Sequence, residues 1–226
     1  YRNQMVAYTD FGTGTAATYR YDAFGRRIEK VVDEAGIVRE TRFFYQEWRV
    51  VEEQDGNGIT TATYVYGLYI DEVLNMQRGG VDFFYHTDDL YNVVKVTDAA
   101  GAVVEGYEYE DYGQPAFFNP AGTPIAQSAI WNPYLFTGRR YDGETGFYYY
   151  RTRYLDFLAG RFTTRDVIGI WGDTVALGNG YAYTANNPVT FADPYGEDRP
   201  GCDAIRDFIP DIESACVLEY CAEHDR

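Results

Sequence analysis

The chain has 226 residues, with 19 Lys and Arg against 35 Asp and Glu, a formal net charge of -16. So acidic a balance argues against a nucleic-acid partner, whose phosphates are held by Lys and Arg displacing counterions. With 46% apolar and 24% charged residues, disorder throughout is excluded, and the length suits one large domain or two small ones.

Aromatic residues make up 18% of the chain, with 23 Tyr and 14 Phe beside 23 Gly. Large rings with strand preference, punctuated by residues that tolerate positive φ, predict an all-β protein of many short strands and tight turns. No apolar run of about 18 residues is present, so no transmembrane helix is expected. The chain opens at Tyr1 without a basic-plus-apolar leader, which reads as a processed product or a piece of something longer.

From the N-terminus, tyrosine-centred segments recur. Anchored on Tyr21, Tyr45, Tyr66, Tyr85 and Tyr109, they step by 24, 21, 19 and 24 residues. Turn signals lie between them: Asp33-Glu34-Ala35-Gly36, Asp55-Gly56-Asn57-Gly58, Gly79-Gly80 and Asp98-Ala99-Ala100-Gly101. Residues 26–32 and 93–97 show the partial alternation of half-buried strands. Each unit therefore reads as a hairpin too small to bury its own apolar face, and successive hairpins must stack into one long, curling antiparallel sheet. The competing reading is a Tyr-rich sandwich with accidental spacing.

Tyr21-Asp22-Ala23-Phe24-Gly25-Arg26 resembles the repeat of the RHS/YD-repeat family, and Tyr109-Glu110-Asp111-Tyr112-Gly113-Gln114 a drifted copy. From Asn132 to Gly196 the chain is similar, nearly position for position, to the family's RHS repeat-associated core. The carrying residues are Asn132, Pro133, Tyr134, Gly138, Asp142, Gly146, Tyr149, Arg151, Arg153, Tyr154, Gly160, Arg161, Phe162, Asn187, Pro188, Asp193, Pro194 and Gly196. Residues 141–146 read as a turn between an extended Tyr134-Leu135-Phe136 arm and the aromatic run Phe147-Tyr148-Tyr149-Tyr150. The resemblance implies repeats over 1–131 and a shell-closing plug over 132–196. It also implies a secreted or cell-surface location, and partners that are upstream repeats of a longer chain or neighbouring subunits, with an enclosed C-terminal polypeptide. An adhesion module without cargo, as in teneurin-like relatives, is the other reading of the same repeats.

Candidate chemistry is sparse. His86 and His224 are the two histidines; His86, before Thr87-Asp88-Asp89, reads as a hydrogen-bonded turn residue, and neither a metal site nor a cofactor is expected. Arg139, Arg140, Arg151, Arg153, Arg161 and Arg165 crowd into 27 positions. Pairing with carboxylates and stacking on Tyr is one reading of them, an anionic ligand the other. The resemblance also implies a self-cleaving site of aspartic type just after Gly196, mapped by motif onto Asp166 and Asp193 with Arg165 as helper, since two close carboxylates can share one proton. Val167 stands where the family usually has Pro, and Glu197 where an apolar residue usually follows the last Gly. Structurally, the same aspartates can cap turns and pair with Arg165 or Arg161. In the tail, 197–226, apolar residues at three- and four-residue steps predict one or two short helices interrupted at Pro210. Cys202, Cys216 and Cys221 permit at most one internal disulfide.

Overall fold

The computed structural model describes residues 4–166 and 179–197. Among them, the first sheet is a meander in which every strand pairs antiparallel with the next. Its strands are β1 (Ala7–Thr9), β2 (Ala16–Tyr21), β3 (Arg27–Glu34), β4 (Ile37–Gln46), β5 (Arg49–Asp55), β6 (Thr60–Tyr66), β7 (Val73–Arg78), β8 (Val81–Thr87), β9 (Val93–Thr97), β10 (Val103–Tyr109), β11 (Pro115–Phe118) and β12 (Pro124–Ile125). A second meander holds β13 (Arg140–Asp142), β14 (Phe147–Tyr150), β15 (Arg153–Asp156) and β16 (Arg161–Phe162). The helices and cysteines expected in the tail, and Val167, lie outside the described residues.

Local chemistry explains the turns. After β2, the Asp22 carboxylate accepts the backbone N–H groups of Phe24 and Arg26 and the Arg26 guanidinium. Asp55, Asp88, Asp98 and Asn119 repeat the arrangement, each accepting N–H groups two and four residues on. Such side chains satisfy a turn's donors wherever no strand partner can.

The repeat is more regular than its tyrosines suggest. A bulge falls at Arg20/Tyr21, Phe44/Tyr45, Val65/Tyr66 and His86/Thr87. At each, two residues of the following strand oppose one. The fourth anchor is therefore Thr87, not Tyr85, and the steps become 24, 21, 21 and 22. Anchor hydroxyls reach backwards: Tyr21 donates to the Met5 carbonyl, Tyr45 to Arg27, Tyr66 to Val50 and Tyr109 to Val93. Arg27, Val50 and Val93 are the residues paired opposite the preceding anchors Tyr21, Tyr45 and Thr87. His86 is a strand residue whose Nε2 lies 3.0 Å from Thr97 Oγ1, a correction to the turn placement; it precedes the turn by two positions.

A second correction concerns the plug hairpin. Its first arm is β13, and residues 134–136 do not form it. Tyr134 makes a single bridge to Arg140, and the chain then turns tightly through Phe136–Gly138 with Thr137 at φ 47°. The tight turn is anchored from the first sheet: Asn92 Oδ1 accepts the Thr137 N–H at 2.8 Å, and the Leu135 carbonyl accepts the Val93 N–H at 3.1 Å.

One apolar cluster joins the sheets. Phe43, Tyr64, Met76, Val96 and Tyr107 of the long sheet share it with Leu135, Phe136, Tyr148, Tyr150, Leu155, Phe162 and Tyr183. Laid flat, twelve strands would span about 50 Å at the usual strand spacing. Yet the small sheet touches Arg27 of β3 through Asp142, Glu53 of β5 through Arg140, and Gly113, beyond β10, through Tyr148. The long sheet must curl around the small one to make these contacts.

Candidate functional site

Buried ion pairs fasten the plug to the wall. Asp142, fully buried, takes both terminal nitrogens of Arg27, at 2.5 and 3.0 Å, and Lys30 Nζ at 3.0 Å. Glu53 accepts from Arg140 at 2.7 Å, Arg78 at 3.0 Å and the Tyr64 hydroxyl at 2.6 Å. Asp71, in the loop before β7, accepts from Arg139 and Arg151. Burial alone would push the Asp142 and Glu53 carboxyls up. Arg27 and Lys30 outweigh it for Asp142 and hold it below the usual range; Arg140 and Arg78 do the same for Glu53, held at about 2.

Glycine is required where plug meets wall. Gly138 has φ +65°, and a Cβ there would lie 2.2 Å from the Asp71 carbonyl oxygen. Gly196 has the same φ, and its Cβ would lie 2.2 Å from the Tyr150 carbonyl oxygen. Both positions combine a left-handed backbone with a close approach that no other residue permits.

Other core-motif residues are structural polar anchors. Asn132 accepts from the Tyr85 hydroxyl and the Tyr134 N–H, and donates to the Tyr107 hydroxyl and the Tyr134 carbonyl. The Pro133 carbonyl accepts the Tyr141 N–H. Tyr149 accepts the Arg27 N–H, and the Tyr154 hydroxyl lies 2.8 Å from that of Tyr21. Asn187 donates its N–H to the Thr184 carbonyl, Pro188 is buried, and Gly160 packs on the Tyr112 ring. The turn of the β13–β14 hairpin closes on the Asp142 carbonyl, which accepts from Thr145 and Gly146.

Around Gly196 a different constellation forms. Arg153, fully buried over the Phe162 ring, places one terminal nitrogen 3.0 Å from Asp166 and 3.1 Å from Asp193. The two carboxylate oxygens thus lie within about 6 Å of each other. Arg153 Nε donates to the Gly196 carbonyl at 2.5 Å, and the Thr152 hydroxyl to the same oxygen at 2.6 Å. Across the peptide bond, the Glu197 N–H donates to Asp193 at 3.0 Å. Arg139 and Arg151 both donate to the Pro194 carbonyl. Burial raises the Asp193 carboxyl above its ordinary value, with Asp166 adding to it and Arg153 and the Glu197 N–H opposing.

The fold thus brings Asp166 and Asp193 together, but through Arg153. Arg165 is exposed, and Arg161 stacks on Tyr181. Arg27, Glu53 and Asp71 went unnoticed from sequence. Their signal is a charged residue at an inward strand position, or beside one, in a repeat otherwise filled by Tyr, Phe and Val.

The sequence model of the teneurin YD-shell family matches residues 4–189. The chain belongs to that family. The tRNA nuclease WapA of Bacillus subtilis is 35% identical over 80% of this chain, and toxin protein Tse5 of Pseudomonas aeruginosa 29% identical over 82%. The crystal structure of TcdB2-TccC3 shares the fold at a TM-score of 0.62 and 23% identity, over 84% of this chain. The chain spans 7% of WapA, 16% of Tse5 and 10% of that structure's chain. This chain is a structural YD-shell segment, an antiparallel RHS/YD-repeat wall curled around its core hairpins. No helix among the described residues is long and apolar enough to cross a membrane.

Proposed function

We propose that this YD-shell segment closes one end of a secreted or cell-surface toxin shell and holds a C-terminal polypeptide passenger, with residues 1–131 forming wall and 132–196 plug. The observation that carries the reading is the fixing of residues 193–197 on the plug by Arg139, Arg151, Arg153 and Thr152. A chain leaving the plug there is anchored where the curled sheet's apolar face is already covered. Upstream repeats would pair with the short edge strand β1. In the protein expressed from its complete reading frame, sequence following residue 197 should resist trypsin until Asp142→Ala opens the plug. Equal digestion before and after opening would favour an adhesion module without cargo.

A second reading rests on the Asp166–Arg153–Asp193 geometry: a single self-cleavage just beyond Gly196. Water attacks the carbonyl while Asp166 takes its proton. Negative charge gathers on the carbonyl oxygen already held by Thr152 and Arg153, and Asp193 passes a proton to the departing nitrogen as the C–N bond breaks. Because Asp193 is raised, its proton is retained further toward neutrality, and the cut should accelerate as pH falls from 7 toward 5. Intact mass over time tests this. Asp166→Asn and Asp193→Asn should each abolish the cut, and Thr152→Val should slow it about 100-fold. An unchanged mass across that pH range overturns the reading and leaves the two aspartates as the structural partners of Arg153.

A further inference from the structure

Granted the single cut beyond Gly196, on which this rests, we infer that Asp71 of the wall is a positioning residue for it, acting through Arg139 and Arg151. The self-cleaving centre is then complete only once the plug has docked on the wall. Asp71 stands in the loop between β6 and β7, 68 and 80 positions from its two partners. Its Oδ2 accepts Arg139 Nη1 at 3.1 Å, and its Oδ1 accepts Arg151 Nη2 at 2.6 Å. The same two guanidinium groups donate onward, each from Nη1, to the Pro194 carbonyl. All three charged residues are buried. Asp71 thus fixes two donors, and the donors fix one carbonyl, two residues before the bond to be cut. The proline ring fixes φ there, so a held carbonyl also orients the adjoining peptides of Asp193 and Tyr195.

The backbone at Arg151 supplies a second, independent observation. Arg151 and Thr152 form the two-residue link between β14 and β15, and Arg151 has φ 62°. Glycine or asparagine is the usual occupant of such a position, and another residue held there bears strain that its surroundings must over-determine. The strained link sets three consecutive side chains, 151 to 153, against three consecutive carbonyls, 194 to 196. Beside the Arg151 bond to Pro194, Thr152 Oγ1 lies 2.9 and 2.6 Å from the carbonyl oxygens of Tyr195 and Gly196. Arg153 Nε donates to Gly196 at 2.5 Å. An ion pair that merely fastens plug to wall, as Arg140 does with Glu53, needs neither the strained link nor this register.

The test follows intact mass over time between pH 7 and 5, in the protein expressed from its complete reading frame, for wild type, Asp71→Asn and Glu53→Gln. Glu53 is the control: it also ties plug to wall, but its partners are Arg140, Arg78 and the Tyr64 hydroxyl. Asp71→Asn should slow the cut about 10- to 100-fold without shifting its pH profile, because Asp166 and Asp193 are untouched. Glu53→Gln should lose stability in urea yet cut at the wild-type rate. Equal slowing in both variants overturns the proposal, since general loosening of the plug then accounts for the effect. An Asp71→Asn chain that cuts like wild type overturns it and leaves self-cleavage standing, whereas an uncut wild type overturns both. Should Asp71→Asn not fold, Arg151→Gly decides. That variant suits the left-handed backbone and leaves Asp71 paired with Arg139. Slowing of the same order supports the role, and a wild-type rate overturns it.

Discussion

The wall and the plug are both antiparallel meanders rich in tyrosine, but they are held by different physics. In the wall, Asp turns bond within five residues and anchor hydroxyls reach a carbonyl 16 or 18 positions back. In the plug, the decisive contacts join Arg140 to Glu53, Asp142 to Arg27 and Arg151 to Asp71, across 80 to 115 residues. A repeat can be stabilised by its neighbour and tolerate local error. The small sheet has no neighbour of its own kind, and it is registered by charge, which tolerates neither displacement nor loss of a partner. The two modes meet at Thr87. There the row of phenols skips a position, and Asp71, two residues before the strand partner of Tyr66, turns to the plug instead.

The sharpest way to break this contrast is Asp142→Ala. It leaves Arg27 buried without its bidentate partner and should destabilise the fold by about 3–5 kcal/mol in urea unfolding. Gly138→Ala comes next. The Cβ collides with the Asp71 carbonyl on a left-handed backbone, and the loss should be about 1–3 kcal/mol, with plug amides exchanging faster than those of the distant β1–β2 pair.

Acid should separate the regions as well. Glu53 titrates lower in the fold than its ordinary 4.5, at about 2. Its contribution, of order 3 kcal/mol, is complete above pH about 5 and is lost as pH falls through 4.5 to about 2. Asp142 acts in the same direction. Asp193, raised above 3.8, acts oppositely, its contribution being present in acid and declining as pH rises past 3.8. Unfolding midpoints between pH 7 and 2 should therefore fall chiefly below pH 5. The smallest effect belongs to the wall. Tyr45→Phe removes one hydroxyl-to-carbonyl bond and should cost about 1 kcal/mol by the same urea measurement, leaving the plug's acid sensitivity unchanged.

Much of the wall was legible because its determinants are local. Asp33-Glu34-Ala35-Gly36 marks the turn between β3 and β4, and residues 93–97 coincide with β9. Tyr85 misled because it is the nearest ring to the expected spacing. At that repeat the ring is missing and the acidic residue after the anchor, Asp88 of Thr87-Asp88, carries the register instead, as Asp22 follows Tyr21 and Glu110 follows Tyr109. The arm at 134–136 was misplaced because its tight turn depends on Asn92, some 45 residues away. The role of Arg153 was equally hidden. Arg153 is one of the residues that carry the core resemblance, but only folding brings Asp166, Asp193 and Gly196 to its guanidinium.

The backward reach of the phenols has a consequence for how such a chain is built. Except at Thr87, the hydroxyl that completes a rung arrives one repeat later, so synthesis from the N-terminus finishes these rungs only after the next has emerged. Growth is thereby given a direction, and interrupting the nascent polypeptide between Tyr45 and Tyr66 would leave the carbonyl of Val50 waiting for the hydroxyl that seals it.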